Sequence, residues 1–226
     1  MQVLDPARDR DGMTSERCWP GAATNRDAWI LDAYAAADQD KSIKDRRYVV
    51  IHGSLMTREQ IVRAKHLGVR VDAQNVFIWD KAAAVERNMG TALANRAVPS
   101  RWLVDTLGIE GTAAGTDNQV NILNPFVGLY IMVTRKDPTG KVYGADQALT
   151  REEALRLYTN AGPYYTFDER RKGAIEVGKL ADMGVLSDDY LTVPESLSTS
   201  TPRACAIGCS TKPRSGSRRS RSCRRS

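Results

Sequence analysis

Long apolar runs are missing from this 226-residue chain. None approaches the roughly 18 residues a helix needs to cross a bilayer, so the sequence offers no membrane span. The opening stretch MQVLDPARDRDGMTSERC has no apolar centre and does not read as a secretory signal. A cytoplasmic location is the resulting expectation. Cysteine is scarce. Cys18, Cys205, Cys209 and Cys223 form no CxxC pair, which argues against a disulfide framework. Cys205 and Cys209 would make at most half of a zinc site. Histidine is scarcer still, with only His52 and His66 in the whole chain.

What is present is an ordinary globular composition, 42% hydrophobic and 27% charged, with a net charge of +6. The charge is unevenly placed. Eight Lys and Arg residues and no carboxylate follow residue 200, so the body of the chain is slightly acidic. The basic balance therefore says nothing about the body's partners. The Arg/Ser-rich end invites a nucleic-acid reading through phosphate charge. No aromatic residue is interleaved with it and no recognition module precedes it, so a solvated, disordered tail over 196–226 is expected.

Hydrophobic spacing divides the rest. Residues 1–24 carry turn formers and little periodicity, an irregular segment. From Asn25, Trp29, Ile30, Ala33, Tyr34 and Ala37 recur at helical spacing. Tyr48-Val49-Val50-Ile51 reads as a buried strand. Thr57 and Gln60 make a capping box for a helix that presents Ile61, Ala64 and Leu67 and stops at Gly68. Val69–Ala73 is a second short strand, and Asp80–Met89 is read as helical. Pro99 opens a helix closed by Gly108. Ile109–Ala114 is a third strand. A helix is expected around Phe126–Thr134, and a turn at Asp137-Pro138-Thr139-Gly140. Thr150 and Glu153 form a second capping box, on a helix burying Ala154, Leu157 and Tyr158. Gly173–Leu186 reads as two short strands about a turn at Gly178. Strands alternating with helices imply parallel pairing and an α/β fold.

Two polar residues stand out. His52 ends the first strand and Asp117 closes Gly115-Thr116-Asp117 after the third. A βα-barrel places its chemistry at the C-terminal ends of its strands. Taken alone, His52 also suits a core histidine, and Asp117 an Asx turn or helix cap. Arg101, ahead of Trp102, is either a solvated charge or a substrate-positioning group.

Four segments together resemble metal-dependent amidohydrolases of the amidohydrolase-3 group. They are WILDAYAAA, RYVVIHGSLMTREQIVRAKHLGVRVDAQN, LGIEGTAAGTDNQVNILNPFVGLYIMVTR and LTREEALRLYTNAGPYYTFDERRKGAIEVGKLADMGVLSDD. The order and spacing are those of the C-terminal part of such enzymes. The resemblance implies a partial (βα)8 TIM barrel over 25–170, and a short β-hairpin of a small composite β-domain over 171–195. It implies hydrolysis of C–N bonds, amide-like but not peptide, in a small-molecule substrate. A divalent metal, usually zinc, would activate the water. His52 would be a metal ligand. Asp117 would be both metal ligand and proton shuttle.

The resemblance also marks absences. The family's H-x-H pair is missing, and Cys18-Trp19-Pro20-Gly21-Ala22 holds no histidine where a second one is expected. Both ends depart abruptly from the pattern, as a truncated or frameshifted reading frame would. The expectation is a fragment, inactive alone, that self-associates through an open barrel edge. A non-catalytic pseudoenzyme or regulatory relative, and an RNA-binding protein acting through its tail, are the alternative readings.

Overall fold

The computed structural model describes residues 20–117, 121–193 and 205–208. Its centre is a three-stranded parallel sheet in the order β1-β2-β3, formed by β1 (Val49–His52), β2 (Arg70–Ala73) and β3 (Thr112–Ala114). Val50 pairs with Val71 and Val71 with Thr112, so the three strands run in register. Helices α1 (Pro20–Asp40), α2 (Arg58–Leu67), α3 (Phe77–Met89), α4 (Thr91–Arg96) and α5 (Ser100–Leu107) fill the connections before β3. Helices α6 (Pro125–Thr134), α7 (Arg151–Thr159) and α8 (Ala161–Tyr165) follow. A separate antiparallel pair joins β4 (Asp182–Val185) to β5 (Cys205–Gly208). None of the described helices is long and apolar enough to cross a membrane.

The strand and helix signals act as their chemistry requires. Thr57 Oγ1 accepts from the Gln60 backbone while Gln60 Oε1 accepts from Thr57 N, and Gly68 closes α2 in the left-handed region. Thr150 and Glu153 repeat the reciprocal cap on α7. Gly140 N donates to Asp137 O, closing the expected turn. Val50, Val71, Ile61, Ala64 and Leu103 are buried together, which places the main core between the sheet and helices α2 and α5. Each such side chain contributes roughly 1.5–3 kcal/mol by leaving water. A second cluster, including Leu129, Met132, Leu157 and Tyr190, seats α6 on α7. A Cβ on Gly128 would overlap the Tyr158 hydroxyl, so glycine permits this close approach.

Several boundaries differ from the sequence reading. Helix α1 starts at Pro20, inside the segment expected to be irregular; residues 1–19 lie outside the described set. Its buried face is also rotated. Leu31 is fully buried and Tyr34 partly so, whereas Trp29 is 68% exposed and Ala33 and Ala37 face solvent. The inward row includes Asp27, a buried carboxylate that an apolar pattern does not count. Helix α3 begins at Phe77, earlier than Asp80. The third strand is shorter than Ile109–Ala114, because Thr112 N turns back to Ile109 O.

The hairpin about Gly178 does not form. Gly173 and Gly178 both take positive φ, and Ile175 and Val177 are exposed, so the first expected strand is broken into turns. The partner of β4 is Cys205–Gly208, within the stretch expected to be a disordered tail. The rest of that expected tail, 196–204 and 209–226, lies outside the described residues.

Two arginines pin the later helices. Arg101 makes a bidentate pair with Glu153 at 2.9 and 2.7 Å and meets Asp105 at 3.0 Å, joining α5 to α7. Arg135 is fully buried, and the charge of Asp146 only partly offsets that burial. Its guanidinium donates to the carbonyls of Tyr143 (2.9 Å), Val98 (3.0 Å) and Ala97 (2.6 Å). Burial pulls its pKa down to about 10. Replacing Arg135 with Met is expected to cost about 3 kcal/mol in urea unfolding, because the buried carbonyls of Tyr143 and Ala97 lose the guanidinium, while Val98 O keeps Ser100 N.

Arg101, with help from Thr150 and against burial, holds the Glu153 carboxyl at about 2, below its ordinary 4.5. The stabilisation is complete above pH 4.5 and is lost as pH falls toward 2. It is about 1–2 kcal/mol after allowance for partial exposure. Glu153→Gln is expected to remove that part of the acid dependence, measured as unfolding midpoint against pH.

Candidate active site

The C-terminal ends of β1, β2 and β3 lie on one rim of the sheet, because the strands are parallel and in register. His52 is the last residue of β1 and Asp117 lies three residues past the end of β3, so the two sequence candidates share that rim. They are not on adjacent strands. β2 runs between them, which separates the two chain positions by about two strand spacings, roughly 10 Å. Both residues have positive φ, 77° at His52 and 52° at Asp117. Non-glycine residues enter this region at a cost and do so mostly where a turn or a function requires it.

The middle strand supplies groups that the sequence reading passed over. Asp72 lies on β2, its carboxyl tucked against Gln74, whose Nε2 donates to Asp72 Oδ2 at 3.0 Å. Gln74 is 2% exposed, and its Oε1 lies 2.8 Å from His52 Nδ1. Burial pushes the Asp72 carboxyl up; the Gln74 hydrogen bond and His52 draw it down, and Asp117 pushes it up again. Asp72 thus feels both rim candidates. Burial likewise raises Asp27, at the inward face of α1, and Arg26 and then His52 oppose that. Asp27 is 1% exposed, and its Oδ2 has no hydrogen-bond partner among the described residues. Tyr158 is pushed up to about 12 by its own burial and then by the Asp72 charge.

The first turn of α3 spans the rim. The Phe77 ring lies 5.4 Å from the His52 ring, and Lys81 sits 4.3 Å over Phe77. Lys81 Nζ reaches Asn121 Oδ1 at 2.6 Å, and Asn121 Nδ2 donates to Thr116 O at 2.9 Å and Asp117 O at 3.3 Å. The side chain of Asp117 is exposed. His66 is exposed on the last turn of α2, away from β1's end in sequence and structure. Arg101 is engaged by Glu153 and Asp105, so its charge is taken up inside the fold.

Imidazole and carboxylate are suitable donors for a divalent cation, and His52 and Asp117 each fit one position. A catalytic zinc needs three protein ligands and an open site. Among the described residues, no three His, Cys, Asp or Glu side chains are grouped to hold one ion. The donor set of the described chain is therefore incomplete. Asp72 and Gln74 could have been found in the sequence by one signal. In Val69-Arg70-Val71-Asp72-Ala73 the apolar residues alternate with polar ones, so a carboxylate is carried on a strand whose other face is core.

Residues 21–204 match the model of the amidohydrolase family. The chain is 28% identical over 152 residues to the protein YtcJ of Bacillus subtilis (strain 168), covering 64% of this chain and 27% of that protein. It is 27% identical over 162 residues to the N-substituted formamide deformylase of Arthrobacter pascens, covering 71% and 29% respectively. Among solved structures it is similar to an uncharacterized metal-dependent hydrolase from Pyrococcus furiosus (TM-score 0.61, 27% identity). A second such hydrolase, from Pyrococcus horikoshii OT3, gives a TM-score of 0.62 at 25% identity. The matches cover 74% of this chain and 32% of either structure. The chain thus spans between about a quarter and a third of the length of these relatives. With most of its own length matched by the family model, this mixed α/β chain belongs to the amidohydrolase family.

Proposed function

We propose that this chain supplies part of the active site of a metal-dependent hydrolase that cleaves non-peptide C–N bonds in small amide-like molecules. Its three parallel strands are then staves of a partial (βα)8 barrel. The observation that carries the reading is the shared rim: His52 and Asp117, with Asp72 between them, at the strand ends where such folds do chemistry. The formamide-specific name of one relative supports N-substituted formamides as the first substrates to try.

The metal, zinc by its preference for imidazole and carboxylate, would lower the pKa of a bound water and polarise the carbonyl. This chain's own residues have narrower tasks. His52 presents one imidazole donor. Asp117, an exposed carboxylate on the same rim, binds the cation or carries a proton to the departing nitrogen. With no three such donors grouped to hold one ion among the described residues, the chain alone is expected not to turn over substrate. Zinc binding measured by calorimetry is expected to weaken about tenfold or more in His52→Ala. Equal zinc affinity in wild type and mutant removes His52 from the site. Formamide hydrolysis by the isolated zinc-loaded chain that disappears in Asp117→Asn would overturn the claim of incompleteness.

The same reading leaves β1 as an edge strand, with Ile51 58% exposed on it. Exposed apolar edges pair with other chains. Self-association is therefore expected in sedimentation velocity, and Ile51→Lys is expected to shift the population toward monomer.

A further inference from the structure

We propose that Gln74 is a positioning residue that fixes His52 as its Nδ1–H tautomer and leaves Nε2 as the free lone pair. Three side chains, Asp72, Gln74 and His52, form one hydrogen-bonded chain. An ionised carboxylate has no hydrogen to give, so Asp72 Oδ2 receives one from the Gln74 amide at 3.0 Å. That contact decides which way the amide is turned, and its oxygen is left facing His52. Oε1 accepts only, so the 2.8 Å contact to Nδ1 requires the proton to sit on Nδ1. Nε2 is then the nitrogen with a lone pair.

The three-residue chain is held from behind. An ideal Cβ on Gly115 would lie 3.1 Å from Asp72 Oδ1 and 3.2 Å from Gln74 Nε2. Glycine there gives the carboxylate–amide pair its room, so the Gly115-Thr116-Asp117 corner of β3 and the end of β1 are fitted to the same group on β2. Gln74 is buried and cannot exchange its partners for water. A histidine that binds a cation is commonly oriented in this way by a hydrogen bond to its other nitrogen. The use of Nε2 for a cation rests on the function proposed above. The tautomer does not, and it is measurable without any metal.

The chain's two histidines make the test simple. The full chain is labelled with 15N-histidine, and two-bond proton–nitrogen spectra are recorded at about pH 8.5, above the ordinary histidine range. His66, exposed on α2, serves as the internal reference for an unconstrained ring. In wild type, His52 is expected to show a protonated Nδ1 and a bare Nε2, unlike His66. Gln74→Leu is expected to collapse the His52 pattern onto that of His66. Asp72→Asn lets the Gln74 amide turn over and is expected to yield a mixture; a glutamine that merely fills space would not respond. Wild-type His52 protonated on Nε2, or an unchanged tautomer in folded Gln74→Leu, overturns the proposal. Should Gln74→Leu not fold, the wild-type spectrum together with Asp72→Asn decides. Zinc chloride is then added to the wild type. A shifted His52 Nε2 supports its use as a ligand nitrogen. A stationary Nε2 refutes the metal reading and leaves the tautomer result standing.

Discussion

Parallel, in-register pairing of three very short strands is the constraint on which the rest depends. β3 contributes only three residues, yet its register against β2 brings the Gly115-Thr116-Asp117 corner to the level of Gln74 and His52. A one-residue slip would turn Val50 or Val71 out of the core and carry the strand-end groups to the wrong face. The apolar packing of α2 and α5 on one side of the sheet and the chemistry at its rim are therefore set by the same hydrogen-bond ladder.

The rim is built around a carboxylate that pays for its burial in hydrogen bonds. Asp72 loses solvation and recovers part of it from the Gln74 amide and from the nearby imidazole. Asp27, with one oxygen unpartnered among the described residues, has recovered less. Left-handed backbone at His52 and Asp117 adds further local cost.

Most of the fold was legible in the sequence because its signals are local. Capping boxes at Thr57 and Thr150, the closing Gly68 and the turn at Asp137 each act through neighbouring residues. What could not be read is non-local. The pairing of β4 with Cys205–Gly208 joins segments about twenty residues apart, and apolar alternation favoured the nearer stretch, which two positive-φ glycines break. The buried face of α1 was misjudged because Asp27 and Leu31 lie on it and Trp29 does not. At the site, His52 and Asp117 announced themselves by ending apolar runs. Asp72 and Gln74 left only the alternation of polar with apolar residues, a weaker signal because such a polar position normally marks the solvent side.

Arg135 carries a consequence of a different kind. Its three acceptors come from two places, the corner at Ala97 and Val98 and the loop at Tyr143, and the guanidinium bridges them. Neither stretch is finished until the other arrives. The unit that contains β1, β2 and α3 to α5 is thus keyed to a residue beyond β3, and a cut made anywhere between residues 99 and 134 would part lock from key.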